Sequence, residues 1–272
     1  MNIAFLCPGQ ASQKVGMGLD LYENTTLGKD YFDRANDIMG LDIQDIIFNG
    51  PEDTLKQTQY TQPAIYIVSV IIGLLLMEKG IQPSSAAGHS LGEYSALTLA
   101  KSFDFETGLK LVKVRSEGMH NAGRLHPGTM AAVIGLDDKT TRDICDQYTN
   151  GIVVAANFNA KGQVVISGEK KEVKKFSDFL KKKNAKRIIN LPVSAPFHSP
   201  LMKPAALIME SELRKVNFSN PIVPIIQNVD LSILDSTEGL VDRLVKQICG
   251  TVRWRESLIK MADGYGIKNF FE

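Results

Sequence analysis

The stretch "GHSLG" places Ser90 between Gly88 and Gly92, with His89 and Leu91 as its neighbours. A serine in a G-x-S-x-G turn projects its hydroxyl from a tight bend, and the N–H of the next residue, here Leu91, can help hold an oxyanion. The N-terminus of a following helix adds partial positive charge for the same anion. A plainer reading competes: Ser90 with Glu93 three residues on is a capping box, whose hydroxyl satisfies a free amide of the first helical turn. The two readings do not exclude each other.

A serine nucleophile needs a base, and the chain has four histidines. His89 adjoins the serine, so its side chain is expected to point elsewhere. His120 and His126 flank the polar "NAGRL" and read as surface residues. His198 lies in "VSAPFHSP", fixed by two prolines and Phe197, where one sequence rhythm gives way to another. Junctions of this kind favour binding clefts, so His198 is the candidate base. No acid between Ser90 and His198 stands out as a third member. A helix leaves its last four carbonyls without internal partners. If Gly250 closes the helix "EGLVDRLVKQIC", the Gln247 carbonyl is one of these, open either to water or to the His198 ring N–H.

Arg115 lies on the helical stretch "FETGLKLVKVRSEGM" with Leu111, Val112, Gly118 and Met119 at helical contact spacing. None is acidic, so its own helix offers no ion pair. Its guanidinium either snorkels to water or waits for a carboxylate, which arginine grips through two parallel bonds. Beside a nucleophilic serine, the second reading points to an acyl group that carries a free carboxylate.

Around these residues the chain reads as α/β. "NIAFLC" is a buried first strand rather than a signal peptide, since it lacks a basic start and a long apolar core. Pro63 suits the first turn of an apolar helix over "AIYIVSVIIGLLLM", which falls short of the roughly 18 apolar residues of a membrane span. "SSAAGHS" is a short strand and "LGEYSALTLAKS" a helix, so Ser90 sits at a strand-to-helix turn. From "TMAAVIGL" to "KRIINLPV" the order becomes β-α-β-β-α-β, with "NAKG" as a hairpin turn and Val173, Phe176 and Leu180 on one helix face. That order is the ferredoxin-like pattern, inserted within a larger unit. The larger pattern then resumes with the strand "PIVPIIQNV", the helix "EGLVDRLVKQIC", a further helix "ESLIKMADGYG" and the strand "IKNFF".

A chain of 272 residues can bury a substantial core without disulfides or metal. The net charge of +1 argues against a polyanion-binding protein, and neither nucleic acid nor membrane is an expected partner. Charge is uneven: residues 169–187 hold nine basic and three acidic side chains, a net +6 that leaves −5 elsewhere. That stretch is either a solvated helix face or a surface for an acidic partner or a phosphate. Cys7, Cys145 and Cys249 are few and far apart, with neither metal nor disulfide spacing. A reduced cytoplasmic compartment follows as the simple expectation.

Six ordered stretches then become specific: "PGQASQKVGMG", "GHSLGEYSAL", "VKVRSEGM", "NFNAKGQVVISG", "VSAPFHSPLMKPA" and "QICGTVRW". Together they resemble the malonyl-CoA:acyl carrier protein transacylases, over nearly the whole chain. The resemblance implies an α/β-hydrolase-like large domain, residues 1–127 and 195–272, with a ferredoxin-like small domain inserted at 128–194. It implies that Ser90 is acylated, that His198 is its base and that the Gln247 backbone carbonyl orients the histidine. Gln10 and Leu91 match the backbone donors of the oxyanion hole, and Arg115 matches the partner of the malonyl carboxylate. Asn157, Phe197 and Met119 are expected at the substrate cleft, where the bulk of Phe197 should disfavour α-branched malonyl groups.

The implied partners are malonyl-CoA and acyl carrier protein, with no metal or other cofactor. Fatty acid synthesis is one expected pathway, and polyketide supply, which uses the same chemistry, is not separated from it by the sequence. The alternatives are a stand-alone polyketide-synthase acyltransferase, an acyl-thioester hydrolase and a non-catalytic carrier-binding module. The sequence departs from the family pattern at Ala11, where many relatives carry glycine, and at Cys7, often aromatic. The family also continues past "FFE" into a glycine-proline-glycine loop and a last helix, where this sequence has Glu272 as its final residue.

Overall fold

Short buried strands alternate with amphipathic helices to build two sheets. The computed structural model describes residues 2–193 and 195–272; residue 194, the expected end of the small unit, lies outside them. β1 (Ile3–Cys7) is almost wholly buried, as a strand covered on both faces must be. The helices α1 (Leu19–Asn24), α2 (Thr26–Met39), α3 (Ile43–Asn49) and α4 (Glu52–Leu55) follow. In α2, Phe32, Ala35 and Met39 recur at helical spacing and face the core.

α5 (Thr58–Glu78) begins five residues before Pro63, so the proline lies beyond the first turn instead of in it. Proline has no N–H to give the fourth residue back, here Gln59, and the Ser116 hydroxyl donates to that carbonyl at 3.4 Å instead. The helix is also longer than its apolar stretch suggested: by length and composition alone it could cross a membrane, yet 61% of that window is buried within the fold. It packs on α6 (Gly92–Leu99) and α7 (Phe105–Leu125), with Tyr66, Ile67, Val70 and Ile71 fully enclosed. Each such side chain contributes about 1.5–3 kcal/mol on leaving water.

β2 (Ser85–Gly88) precedes α6 and pairs in parallel with β1, Cys7 opposite Gly88. The second sheet comprises β3 (Gly128–Ile134), β4 (Val153–Ala160), β5 (Gln163–Glu169) and β6 (Arg187–Asn190), with α8 (Asp138–Asp146) and α9 (Lys170–Lys182) between them. It is antiparallel, ordered β4-β5-β3-β6. Side chains alternate across a strand. Ala131 and Val133 of β3 therefore join a core with Phe176 and Leu180 of α9, while Met130 and Ala132 face the other way and join the main core.

α10 (Lys203–Leu213) returns the chain to the first sheet, where β7 (Ile225–Ile226) and β8 (Ile233–Leu234) form an edge. β7 is far shorter than "PIVPIIQNV" suggested. α11 (Leu240–Cys249), α12 (Trp254–Ile259) with a π turn after it, and β9 (Asn269–Phe271) complete the order β8-β7-β2-β1-β9. All pairings there are parallel except β7 with β8. The three cysteines are free thiols, and burial pushes Cys7 and Cys145 up to about 12 and raises Cys249.

Candidate active site

Open α/β sheets bind ligands beyond the carboxyl ends of their strands. β1 and β2 end side by side there, and the turns that follow carry Gln10 and Ser90–Leu91. The turn is tight enough to demand glycine. A Cβ on Gly88 would sit 1.8 Å from the Gly92 carbonyl carbon, and one on Gly92 would sit 2.0 Å from the Cys7 oxygen. α6 thus starts directly on the end of β1.

Ser90 adopts φ 53°, the left-handed region, which strains a residue with a side chain. Its neighbours hold it there. The Ser90 N–H donates to Asn228 Oδ1 at 2.7 Å, and its carbonyl accepts from Gln247 Nε2 at 2.9 Å. The capping box does not form: α6 begins at Gly92 with no side-chain cap. The Glu93 carboxylate is turned inward instead, taking donors from Gln227, Asn228 and Gln247. The hydroxyl is therefore left for another partner, His198 Nε2, at 2.8 Å.

His198, also left-handed at φ 57°, is buried. Its Nδ1 stands 2.8 Å from the Gln247 carbonyl. A carbonyl can only accept, so Nδ1 carries the proton and Nε2 turns its lone pair to the Ser90 O–H. Burial first, then the Arg115 charge, lowers the imidazole to about 3, against the pull of the Gln247 carbonyl. The resting ring is neutral and ready to accept a proton.

Arg115 is 0% exposed, so it does not snorkel. Nη1 donates to Gln62 Oε1 at 2.6 Å, and Nη2 donates to Gln247 Oε1 at 2.9 Å and Ser90 Oγ at 3.0 Å. Nε has no partner among the described residues, and the guanidinium carbon lies 5.6 Å from the Tyr94 ring centre. Every oxygen on the fork is neutral, and burial pulls the guanidinium below its ordinary value. A buried cation with only neutral partners beside a reactive hydroxyl is poised for an anionic group.

The remaining expected residues meet at the same cleft, of about 420 Å³, lined by Gln10, Leu91, Met119, Asn157 and Phe197 with Ser90 and His198. Neither the Gln10 nor the Leu91 N–H donates to another described residue. Asn157 sits at an irregularity in the β4–β5 pairing and bridges to Val252, so the second sheet closes one side of the cleft. Met119 takes a long contact of 3.6 Å from Gln62 Nε2 onto its sulfur. His89 turns away to Asn159 Oδ1 at 2.9 Å, while His126 is exposed and His120 half-buried.

Sequence reasoning did not single out Gln62, Asn228 or the inward carboxylate of Glu93. Gln62 carried a signal, a polar residue entering an apolar helix. So did the "QN" that ends the apolar run "PIVPII". Glu93 was hidden because an acid three residues after a serine already has an explanation as a cap.

A neutral histidine hydrogen-bonded to a serine, with free amides at the edge of a parallel sheet, defines a centre able to move acyl groups through oxygen. The chain belongs to the acyl transferase domain family, whose model matches residues 4–267. It is 39% identical to the malonyl CoA-acyl carrier protein transacylase of Bacillus subtilis (strain 168), over 100% of this chain and 86% of that protein. It is 40% identical to the protein of the same name from Escherichia coli (strain K12), over 100% and 88%. The structure of the malonyl CoA-acyl carrier protein transacylase from Coxiella burnetii superposes with a TM-score of 0.95 at 36% identity, over 100% of this chain and 86% of that one. A malonyl-transacylase solved in complex with its type II PKS acyl-carrier protein also gives 0.95, at 39% identity, over 100% and 88%. The α/β fold with its mixed sheet is that of these structures.

Proposed function

We propose that this chain is a malonyl-CoA:acyl carrier protein transacylase serving fatty acid synthesis in a reduced cytoplasm. An α/β-hydrolase-like unit, residues 1–127 and 195–272, would supply Ser90, and a ferredoxin-like unit, 128–194, would close the cleft. The antiparallel order β4-β5-β3-β6 with α8 and α9 as its crossing helices supports the second assignment. The observation that carries the function is the Arg115 Nη2 lying 3.0 Å from a serine hydroxyl that is itself 2.8 Å from His198 Nε2.

The Ser90 oxygen attacks the malonyl thioester carbon while His198 Nε2 takes its proton, and the Gln247 carbonyl steadies the resulting imidazolium. The oxyanion lies against the Gln10 and Leu91 amides, which are aimed in advance at charge that develops only in the transition state. Collapse breaks the C–S bond, and CoA leaves with the proton from His198. The malonyl ester on Ser90 then accepts the carrier's phosphopantetheine thiol by the reverse sequence. Arg115 holds the malonyl carboxylate throughout, and Met119, Asn157 and Phe197 shape the acyl space. Each step uses only these side chains and amides, with no metal or redox cofactor. The basic face of α9 is suited to an acidic carrier protein.

Mass spectrometry after treatment with malonyl-CoA tests the reading. A malonyl adduct on Ser90, absent from Ser90→Ala and discharged mainly by carrier protein, is expected. Rapid release of free malonate without carrier would establish a hydrolase instead, and carrier binding without any adduct a docking module.

A further inference from the structure

One buried acid in this site has no part in the steps above. Glu93 is 1% exposed, on the first turn of α6. All its polar contacts are donors: Gln247 Nε2 at 2.8 Å and the Asn228 N–H at 3.2 Å on Oε2, and Gln227 Nε2 at 3.2 Å on Oε1. Among the described residues Gln227 has no partner for its own buried Oε1, while its amide nitrogen faces the carboxylate. An acceptor-only group is what this pocket is built to hold.

Two of those donors are also the residues that set the reactive groups in place. Asn228 Oδ1 takes the Ser90 N–H, and Asn228 Nδ2 donates to the Gly88 carbonyl at 2.7 Å. Gln247 touches all three reactive residues: its backbone carbonyl takes His198 Nδ1–H, its Oε1 takes Arg115 Nη2, and its Nε2 bonds the Ser90 carbonyl. The orientation of that amide is chemically forced, since arginine only donates and a carbonyl only accepts. The second Nε2 hydrogen then needs an acceptor, and Glu93 supplies it.

We propose that Glu93 is a positioning residue for acyl transfer: through Gln247 and Asn228 it holds Ser90, His198 and Arg115 in one register, and its negative charge offsets that of Arg115 at the base. This rests on the transacylase reading. The titratable groups around Glu93 are Arg115 of α7, Tyr94 of its own helix and, beyond Gln247, His198. Burial pushes Glu93 up to about 7, while its donors and Arg115 pull it down, so its charge changes within the working range of an assay. A protonated Glu93 no longer balances Arg115, and that charge already lowers His198.

The test compares Glu93→Gln and Glu93→Asp with the unaltered protein. Single-turnover acylation of Ser90 by malonyl-CoA is followed from about pH 5 to about pH 9, a span that covers the carboxyl shift. The Gln variant carries no charge and offers an NH2 group in place of one acceptor oxygen, which Gln227 can meet only by turning its own amide. Its acylation rate should fall about 10²-fold, the scale on which small misplacements cost rate. The rise in rate through neutral pH should vanish with it. The Asp variant keeps the charge, so it should keep that rise at a lower plateau, which also covers the case of a Gln variant that fails to fold. An Asp variant that lacks the rise would overturn the proposal, as would a folded Gln variant that acylates within about threefold of the unaltered protein or keeps its pH dependence. No adduct in the unaltered protein would instead overturn the transacylase reading, and this one with it.

Discussion

Replacing Arg115 tests how the acyl group is chosen. A malonyl carboxylate on the guanidinium forms two charge-assisted hydrogen bonds, each contributing about 1.5–3 kcal/mol. To do so it displaces neutral partners such as Ser90 Oγ at 3.0 Å, whose bonds from the cation lie at the low end of that range, about 1.5 kcal/mol each. The difference is up to about 3 kcal/mol, and at about 1.4 kcal/mol per decade it sets a malonyl-over-acetyl preference of up to roughly 140-fold. Arg115→Ala should remove most of that preference by lowering kcat/KM for malonyl-CoA. Acetyl transfer should hardly fall, because loss of the cation also lets His198 rise from about 3. Arg115→Lys, which keeps the charge without the fork, should lie between. The assay is acylation of Ser90 by each thioester, with thermal melting to show that the variants are folded. A folded Arg115→Ala protein that still prefers malonyl to the original extent would refute the assignment.

Three further outcomes are expected. Gly88→Ala places a Cβ 1.8 Å from backbone carbon of Gly92, where no side chain can yield; a loss of about 3 kcal/mol, or roughly 6–12 °C in Tm, should appear in calorimetry. Stability against pH separates the two buried titrating groups. Glu93, raised from 4.5 to about 7, contributes stability that is full at low pH and lost as pH rises through 7; His198, lowered from 6.5 to about 3, contributes stability that is full above 6.5 and lost as pH falls toward 3. The slopes oppose between 4.5 and 6.5, so Glu93→Gln should leave the His198 slope alone and give a Tm that climbs with pH there, visible in a series of melts. Reversing the charges of the exposed Lys181, Lys182 and Lys183 should raise the KM for carrier protein and flatten its salt dependence; a KM that is unchanged and insensitive to salt would remove α9 as a docking face.

The sequence carried most of the framework because period and punctuation are local. β1, the elbow of Ser90 and the order from β3 to β6 could be read from apolar runs and glycines. The span of β7 could not, since its length depends on which neighbour pairs with it. The contact between Ser90 and His198 was reachable because few residue types can serve as a base. The inward turn of Glu93 was not, because its partners Gln227, Asn228 and Gln247 lie more than 130 residues away in the chain. Local reasoning assigned it a cap, and tertiary contacts prevailed.

The cysteines bear on chemical fidelity. A protein that handles thioesters meets activated carbonyls at every turnover, and any thiolate nearby is a rival acceptor. Thioester exchange needs the ionised sulfur. Cys7, just below the reactive turn, and Cys145 are held near 12 by burial, and Cys249 is raised as well. Sulfur is thereby kept out of competition, which leaves the Ser90 oxygen beside the His198 imidazole as the acceptor the proposed chemistry calls for.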